Sequence, residues 1–205
     1  LLPDLGTTGY GARMHYDYYK NSATHNTLTV NQTNQPPANP TVLGQHQGDD
    51  YLWLDCEVDW GQPPPTLNSH TRVEWDAEAW REVRFRRRLL WLDDVLIDLS
   101  TVDNPHRQQL DWTLHLAAQA LDQSGTPQPF SLGGPLRNMS SSTVTPLYGC
   151  QPRHFAREGD TFALWLAGDG ELWQGLAPDN PAVSDLSYLV MRNHLPQAQF
   201  VCLWD

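Results

Sequence analysis

The alternation of apolar and polar residues predicts an all-β fold for this chain: a large antiparallel β-sandwich of two sheets with roughly ten to fourteen strands. Proline and glycine clusters separate the alternating segments, and only residues 77–81 and 117–123 are candidates for short helices. A chain of 205 residues can bury a sizeable core in one sandwich, so we expect residues 1–205 to form a single domain.

Two strands are marked by strict alternation. Between 51 and 60 the residues on one face are Leu52, Leu54, Cys56, Val58 and Trp60, and those on the other include Asp55, Glu57 and Asp59. Between 81 and 91 the apolar face carries Val83, Phe85, Leu89 and Trp91, and the opposite face carries Arg84, Arg86 and Arg88. Because side chains in a strand point alternately to opposite faces, each pattern predicts a half-buried strand.

The remaining elements follow from shorter patterns. Strands are expected at 95–99, 110–116, 162–166, 171–173, 186–191 and 200–204. Gly168-Asp169-Gly170 predicts a hairpin turn between the third and fourth of these segments. Segments 33–50 and 61–70 are expected to be long loops. Strand parity predicts that Trp60, Trp91 and Trp112 lie in the core and leaves Trp53 and Trp75 as surface candidates.

Composition excludes several classes of partner. The formal net charge of −11 argues against a nucleic-acid backbone as partner. No apolar run is long enough to span a membrane, so a membrane partner is not expected either. The three cysteines have no CxxC spacing and allow at most one disulfide, which leaves the redox compartment open.

Chemically capable residues are concentrated near the start of the chain. Asp4 lies in a Pro-Asp-x-Gly turn, Tyr16 and Tyr18 follow, and His25 begins a predicted strand. By parity His25 points away from the core face that Leu28 defines, and is free to bind a ligand or a metal. Taken singly, each of these residues has an ordinary structural explanation: a turn, a packing aromatic or a surface histidine.

The combination of three short motifs resembles the C-terminal domain of the heparinase II/III family. These motifs are Leu2-Pro3-Asp4-x-Gly6, then Tyr18-Tyr19-Lys20, then Thr24-His25-Asn26-Thr27-Leu28-x-Val30 with Gln35 beyond it. The segment from Phe85 to Asp98 and the one from Trp112 to Leu116 also look like middle strands of that family. The resemblance covers about residues 1–120.

The resemblance implies one domain of a polysaccharide lyase that cleaves uronic-acid-containing polysaccharide, such as a glycosaminoglycan or alginate, by β-elimination. In that family an N-terminal α/α-toroid forms the other wall of the cleft, and some members hold a zinc ion in the sandwich. Mapped onto this sequence, Asp4 and His25 are zinc ligands and Tyr18 or Tyr16 is the catalytic tyrosine, with Tyr18 favoured. A periplasmic or secreted location follows by the same resemblance.

Departures from the family pattern limit what we expect of the chain alone. A His-x-His-x-Asp-Lys strand that supplies a further ligand is expected upstream of Leu1, Asn31-Gln32 replaces Asp-Gly, and Thr24 replaces Ala. The zinc site is therefore expected to be incomplete here and the isolated chain inactive.

Other residues have weaker claims to function. Arg84, Arg86 and Arg88 could bind an anionic glycan, but a salt-bridged face with Asp55, Glu57 and Asp59 is the better expectation. The histidines at 106, 115, 154 and 194 show no ligand-like spacing. The competing hypothesis for the whole chain is a non-catalytic carbohydrate-binding or structural β-sandwich.

Overall fold

The computed structural model describes residues 2–66, 73–122, 125–128 and 134–204, and these residues form the predicted all-β fold. Twelve antiparallel strands belong to one hydrogen-bonded ladder. They are β1 (Leu28–Val30), β2 (Thr41–Gln47), β3 (Tyr51–Asp59), β4 (Arg84–Leu92), β5 (Val95–Asp103), β6 (Leu110–Leu116), β7 (Gln119–Ala120), β8 (Thr126–Pro127), β9 (Ser140–Arg157), β10 (Asp160–Pro178), β11 (Asp185–Asn193) and β12 (Gln197–Trp204).

The only helical pieces in the described ranges are short. They are a π-helical turn at His15–Tyr19 and 3₁₀ turns at Ser22–Thr24 and Gly134–Asn138. No helix in the described part of the chain is long and apolar enough to cross a membrane. The candidate helix at 117–123 is wrong, because it contains β7, which pairs with β9.

The twelve-stranded sheet of the described residues folds into two layers because β10 pairs with different strands along its length. Its first half pairs with β12 over 164–167, and its second half pairs with β11 over 171–178. One layer continues from β11 through β6 to β1, and the other continues from β12 through β5, β4 and β3 to β2. Side chains from both layers share one apolar core, in which Trp112 of β6 stacks on Phe200 of β12 with ring centroids 6.4 Å apart. The sandwich prediction is thereby confirmed.

The hairpin predicted at Gly168-Asp169-Gly170 is wrong, because β10 runs straight through these residues. The turn lies earlier, at Glu158 and Gly159, and joins β9 to β10. Gly170 has a φ of +136°, and a Cβ there would lie 2.1 Å from the carbonyl oxygen of Arg192. The glycine is needed for the close approach of β11 rather than for a turn.

The first layer is buried on both faces near the candidate site. In β11, Leu189 and Met191 face the core between the layers, and Tyr188 and Val190 face a second apolar cluster. The N-terminal segment contributes Leu5, Tyr18, Tyr19 and Ala23 to that second cluster. The segment carrying the sequence motifs is therefore packed on the outer face of β6 and β11.

The far end of the second layer departs from two expectations. Residues 41–47, expected to be loop, form the edge strand β2, whose residues are almost all exposed. Trp91 is 52% exposed although its parity matches the core, because it lies at the end of β4. Trp112 is fully buried and Trp60 partly buried against the core, as predicted. The three cysteines are free thiols.

Candidate functional site

Asn26 fixes the N-terminal segment to the sandwich. Its Oδ1 accepts a hydrogen bond from the backbone N–H of His115 in β6 at 2.7 Å. Its Nδ2 lies 3.3 Å from the carbonyl oxygen of Pro3, to which it donates. One side chain thus joins the Pro-Asp-x-Gly turn, the His25 segment and β6.

Gln35 closes the open edge of β1. Its Nε2 donates to the backbone oxygen of Leu28 and to Oγ1 of Thr27, both at 2.9 Å. The hydroxyl of Thr113 lies 2.8 Å from the carbonyl oxygen of His25 on the other side of the segment. Three side chains of the motif therefore hold the segment in place by hydrogen bonds: Asn26, Thr27 and Gln35. The side chain of His25 has no such role and is available to bind a ligand.

Replacing Asn26 by Ala is expected to lower the free energy of unfolding by about 1–3 kcal/mol, because the buried backbone N–H of His115 loses its acceptor. Urea unfolding monitored by circular dichroism measures this. Asn39→Ala is the matched control, since Asn39 is exposed. Equal stability of the two variants would contradict the role given to Asn26.

Asp4 and His25 form a hydrogen-bonded pair at the surface. Nδ1 of His25 lies 2.9 Å from Oδ1 and 3.1 Å from Oδ2 of Asp4. The His25 side chain is 35% exposed and that of Asp4 is 66% exposed, so both are open to a ligand. Burial opposes ionisation of Asp4, but the hydrogen bond from the N–H of Gly6 and the nearby imidazole outweigh it and hold its pKa below the ordinary value. The structure thus brings together the two residues predicted as metal ligands.

His115 lies beneath this pair and was missed by the sequence analysis. Its side chain is fully buried, and neither ring nitrogen has a hydrogen-bond partner in the described residues. Its ring packs on Tyr188, with centroids 4.4 Å apart. Burial, together with the nearby charge of His25, lowers the pKa of His115 to about 3, while Asp4 acts in the opposite direction. His115 is therefore a neutral imidazole within electrostatic reach of the Asp4–His25 pair.

The donors near the surface do not make a complete metal centre by themselves. Within the described ranges, no group of three or more His, Cys, Asp or Glu side chains is arranged to hold a metal ion. The sequence shows Asp111, Thr113 and His115 at the polar positions of β6, and only the structure shows that the whole strand is buried. Polar residues on a fully buried strand indicate a second packed surface.

One family model matches nearly the whole chain. The family model described as "Heparinase II/III-like, C-terminal" matches residues 1–198. The chain belongs to this family. The match extends well beyond the residues 1–120 on which the resemblance of the motifs rested. A search of curated proteins gives no match.

Solved structures of heparinases share the fold. A heparinase III, the BT4657 gene product, superposes with a TM-score of 0.58 at 11% identity, covering 100% of this chain and 28% of that one. A mutant of the heparan sulfate lyase HepC from Pedobacter heparinus gives a TM-score of 0.57 at 12% identity, covering 99% of this chain and 28% of that one. The heparinase II/III-like chain thus spans little more than a quarter of the length of these lyases.

The two tyrosines proposed for catalysis differ in accessibility. The Tyr18 side chain is 3% exposed, and its hydroxyl has no partner in the part of the chain that the structure describes. Burial, with a contribution from Tyr19, raises the pKa of Tyr18 well above its ordinary value. Tyr16 is half-buried and lines an open cleft. Both lie in the π-helical turn, a rare element that is frequent at functional sites.

The three arginines of β4 form the predicted salt-bridged face. Arg86 makes a bidentate pair with Asp55 at 2.8 and 2.6 Å, and Arg88 lies 3.8 Å from the same carboxylate. Arg84 lies 3.5 Å from Asp59 and 3.9 Å from Glu57. Their binding of an anionic substrate stays a prediction, and it would have to compete with these pairs.

Arg87, on the opposite face of β4, reaches the motif instead. It is paired with the buried Asp98, and its Nη1 donates to the carbonyl oxygen of Asn26 at 2.8 Å. The second layer thereby supports the residue next to His25. Arg87 was not predicted from the sequence, because it lies among the three arginines of the other face.

Proposed function

We propose that this chain is the sandwich domain of a polysaccharide lyase that cleaves uronic-acid-containing acidic polysaccharide by β-elimination. The observation that carries the proposal is the exposed Asp4–His25 pair. The structural use of Asn26, Thr27 and Gln35 holds this pair in place. Membership of the heparinase II/III-like family supports the reaction class.

The pair suits proton transfer in an elimination. In that reaction a base removes the proton at C5 of the uronic acid, the electrons form the C4–C5 double bond, and the C4–O bond breaks. The departing oxygen then takes up a proton. Because Nδ1 of His25 faces Asp4, its Nε2 is the nitrogen available to exchange a proton with substrate. Tyr16 is a second candidate for this exchange, since the Tyr18 hydroxyl is buried.

The donor types at this site suit zinc, but two donors are too few for a complete site. A carboxylate and an imidazole are ligands that zinc takes in proteins, and a tetrahedral site needs more than these two. Asp4 and His25 would hold the ion, with further ligands from outside the described residues. When bound, the metal would act as a Lewis acid toward an anionic oxygen. We propose that a second, toroidal domain supplies the opposite wall of the cleft and that the chain alone is inactive.

A non-catalytic carbohydrate-binding or structural sandwich is the alternative. It is favoured by one observation, an aromatic cleft around Trp75 that lies outside the Asp4–His25 pair. A polysaccharide ligand, for the lyase or for a carbohydrate-binding module, is consistent with a periplasmic or secreted location.

Replacing His25 by Ala in the full-length protein is expected to lower kcat/KM on heparan sulfate, heparin, hyaluronan or alginate by about 10²–10⁴-fold, the usual contribution of an acid–base group. Ultraviolet absorbance of the unsaturated uronide measures the rate. His154→Ala is the matched control, because His154 forms a similar surface pair with Asp122 at 2.8 Å. Loss of activity in both variants, or in neither, contradicts the assignment of His25. A full-length protein inactive on all four polysaccharides would favour the alternative.

A further inference from the structure

Two neighbouring clefts share the Trp75 side chain. The first, of about 540 Å³, is lined by Trp60, Trp75 and Trp80 together with prolines 36–37 and 63–65. The second, of about 450 Å³, is also lined by Trp75. We call the two together the Trp75 groove. It contains none of Asp4, His25 and His115, and Tyr16, the second candidate for proton exchange, lies at its edge in the second cleft.

Two tryptophans of the groove, Trp60 and Trp80, are held in fixed orientations. Nε1 of Trp80 donates to Oγ1 of Thr33 at 3.0 Å, and Nε1 of Trp60 donates to the carbonyl oxygen of Pro36 at 3.1 Å. The two indoles pack with centroids 4.4 Å apart. Trp75 is 36% exposed between the two clefts. A partly exposed indole in a concave site, beside this fixed aromatic pair, is suited to stacking against a flat apolar surface.

The rim of the groove supplies hydrogen-bonding groups. Asn39 and Gln62 line the first cleft, whereas Asn21 and Asn34 of the second are buried and hydrogen-bonded to each other and to the backbone. An aromatic platform flanked by amides suits a pyranose ring, whose C–H face is apolar and whose edge is a ring of hydroxyl groups.

The charge of the groove decides which sugar fits. Five carboxylates line it, and Arg137 is the basic side chain among its described lining residues; the carboxylates are those of Asp17, Glu57, Asp59, Glu74 and Asp76. Arg84 offsets part of this charge through Glu57 and Asp59. The surplus of negative charge repels sulfate and uronate groups.

We propose that the Trp75 groove is a glycan-binding subsite for an uncharged pyranose unit, such as an N-acetylated hexosamine, stacked on Trp75. The inference rests on the proposed function only in that both take a polysaccharide as ligand. It assigns the groove to a low-charge stretch of that chain, apart from the unit that reacts at His25.

Isothermal titration calorimetry of the 205-residue chain with the N-acetylglucosamine tetrasaccharide tests the subsite. Trp75→Ala is expected to weaken binding by about tenfold or more, whereas Trp91→Ala leaves it unchanged. Trp91 is the matched control because it is a 52% exposed tryptophan outside the groove. A sulfated heparin tetrasaccharide is expected to bind more weakly than the uncharged one. Trp75→Phe keeps an aromatic face and should recover part of the affinity.

The proposal fails if the uncharged tetrasaccharide does not bind, if Trp75→Ala binds it as well as the unaltered chain, or if the sulfated tetrasaccharide binds more tightly at the same site. Saturable binding of a proline-rich peptide in its place would also overturn it. Calorimetry records binding without turnover, so its result is independent of His25→Ala. If the 205-residue chain binds the tetrasaccharide but the full-length protein has no lyase activity, the proposed lyase function is contradicted and the glycan subsite is not.

Discussion

Replacing Arg192 by Leu is expected to lower the free energy of unfolding by about 3–5 kcal/mol, because a buried carboxylate then has no counter-charge. Nε and Nη2 of Arg192 donate to the two oxygens of Asp111 at 2.6 and 3.0 Å. Asp111 is fully buried and Arg192 almost so. Gln109 also donates to Asp111, at 2.8 Å, but an amide carries no charge to balance the carboxylate.

Urea unfolding compares this variant with two others. Arg81→Ala removes an exposed ion pair with Glu78 and is expected to change stability by less than about 1 kcal/mol. The double variant Asp111→Leu with Arg192→Leu removes both charges and should recover much of the loss. If Arg192→Leu is no less stable than Arg81→Ala, the Arg192–Asp111 pair does not stabilise the fold.

The sequence predicted those strands that carry apolar residues at alternate positions. Strand β6 alternates because its apolar residues pack in the core between the layers, whereas its polar residues face the N-terminal segment. Strand β2 escaped prediction because it is an edge strand with nearly every residue exposed, so selection of apolar residues at alternate positions is absent. Alternation reports burial, and a strand without a buried face carries no such signal.

Parity assigns a face but does not say whether that face is covered. Trp91 shares a face with Phe85, which is buried, yet Trp91 is exposed at the far end of the same strand. The glycines at 168 and 170 were likewise ambiguous in the sequence. Glycine indicates either a turn or a close backbone approach, and only the pairing of β10 with β11 distinguishes them.

The candidate site was predictable where it is local in sequence. Asp4 and His25 lie in recognisable motifs of the N-terminal segment, and the structure pairs them. His115 reaches the same place only because β6 pairs with β1 and receives the side chain of Asn26. No spacing rule connects residues that far apart along the chain, so this member of the site required the topology.

His115 makes the stability of the protein sensitive to acid. Its pKa is about 3 in the folded state, against 6.5 for an ordinary histidine, because burial disfavours the charged ring. The unfolded chain therefore binds a proton at a higher pH than the folded one does. Above about pH 6.5 His115 is neutral in both the folded and the unfolded chain and has no effect on the pH dependence. As the pH falls from there toward about 3, the free energy of unfolding decreases by up to about 1.4 kcal/mol per pH unit.

Urea unfolding at about pH 7 and about pH 4.5 measures this loss in the unaltered chain and in His115→Leu. At neutral pH we expect His115→Leu to be as stable or more stable, because it removes two unpaired buried nitrogens. At the lower pH its advantage should grow by about 1–3 kcal/mol. His154→Leu, at an exposed histidine, should follow the unaltered chain. The groups facing His115 are His25, Asp4 and the Tyr188 ring, and they remain in all three proteins. Parallel pH profiles for the unaltered chain and His115→Leu would therefore show that His115 is solvated or paired rather than held neutral beneath the Asp4–His25 pair.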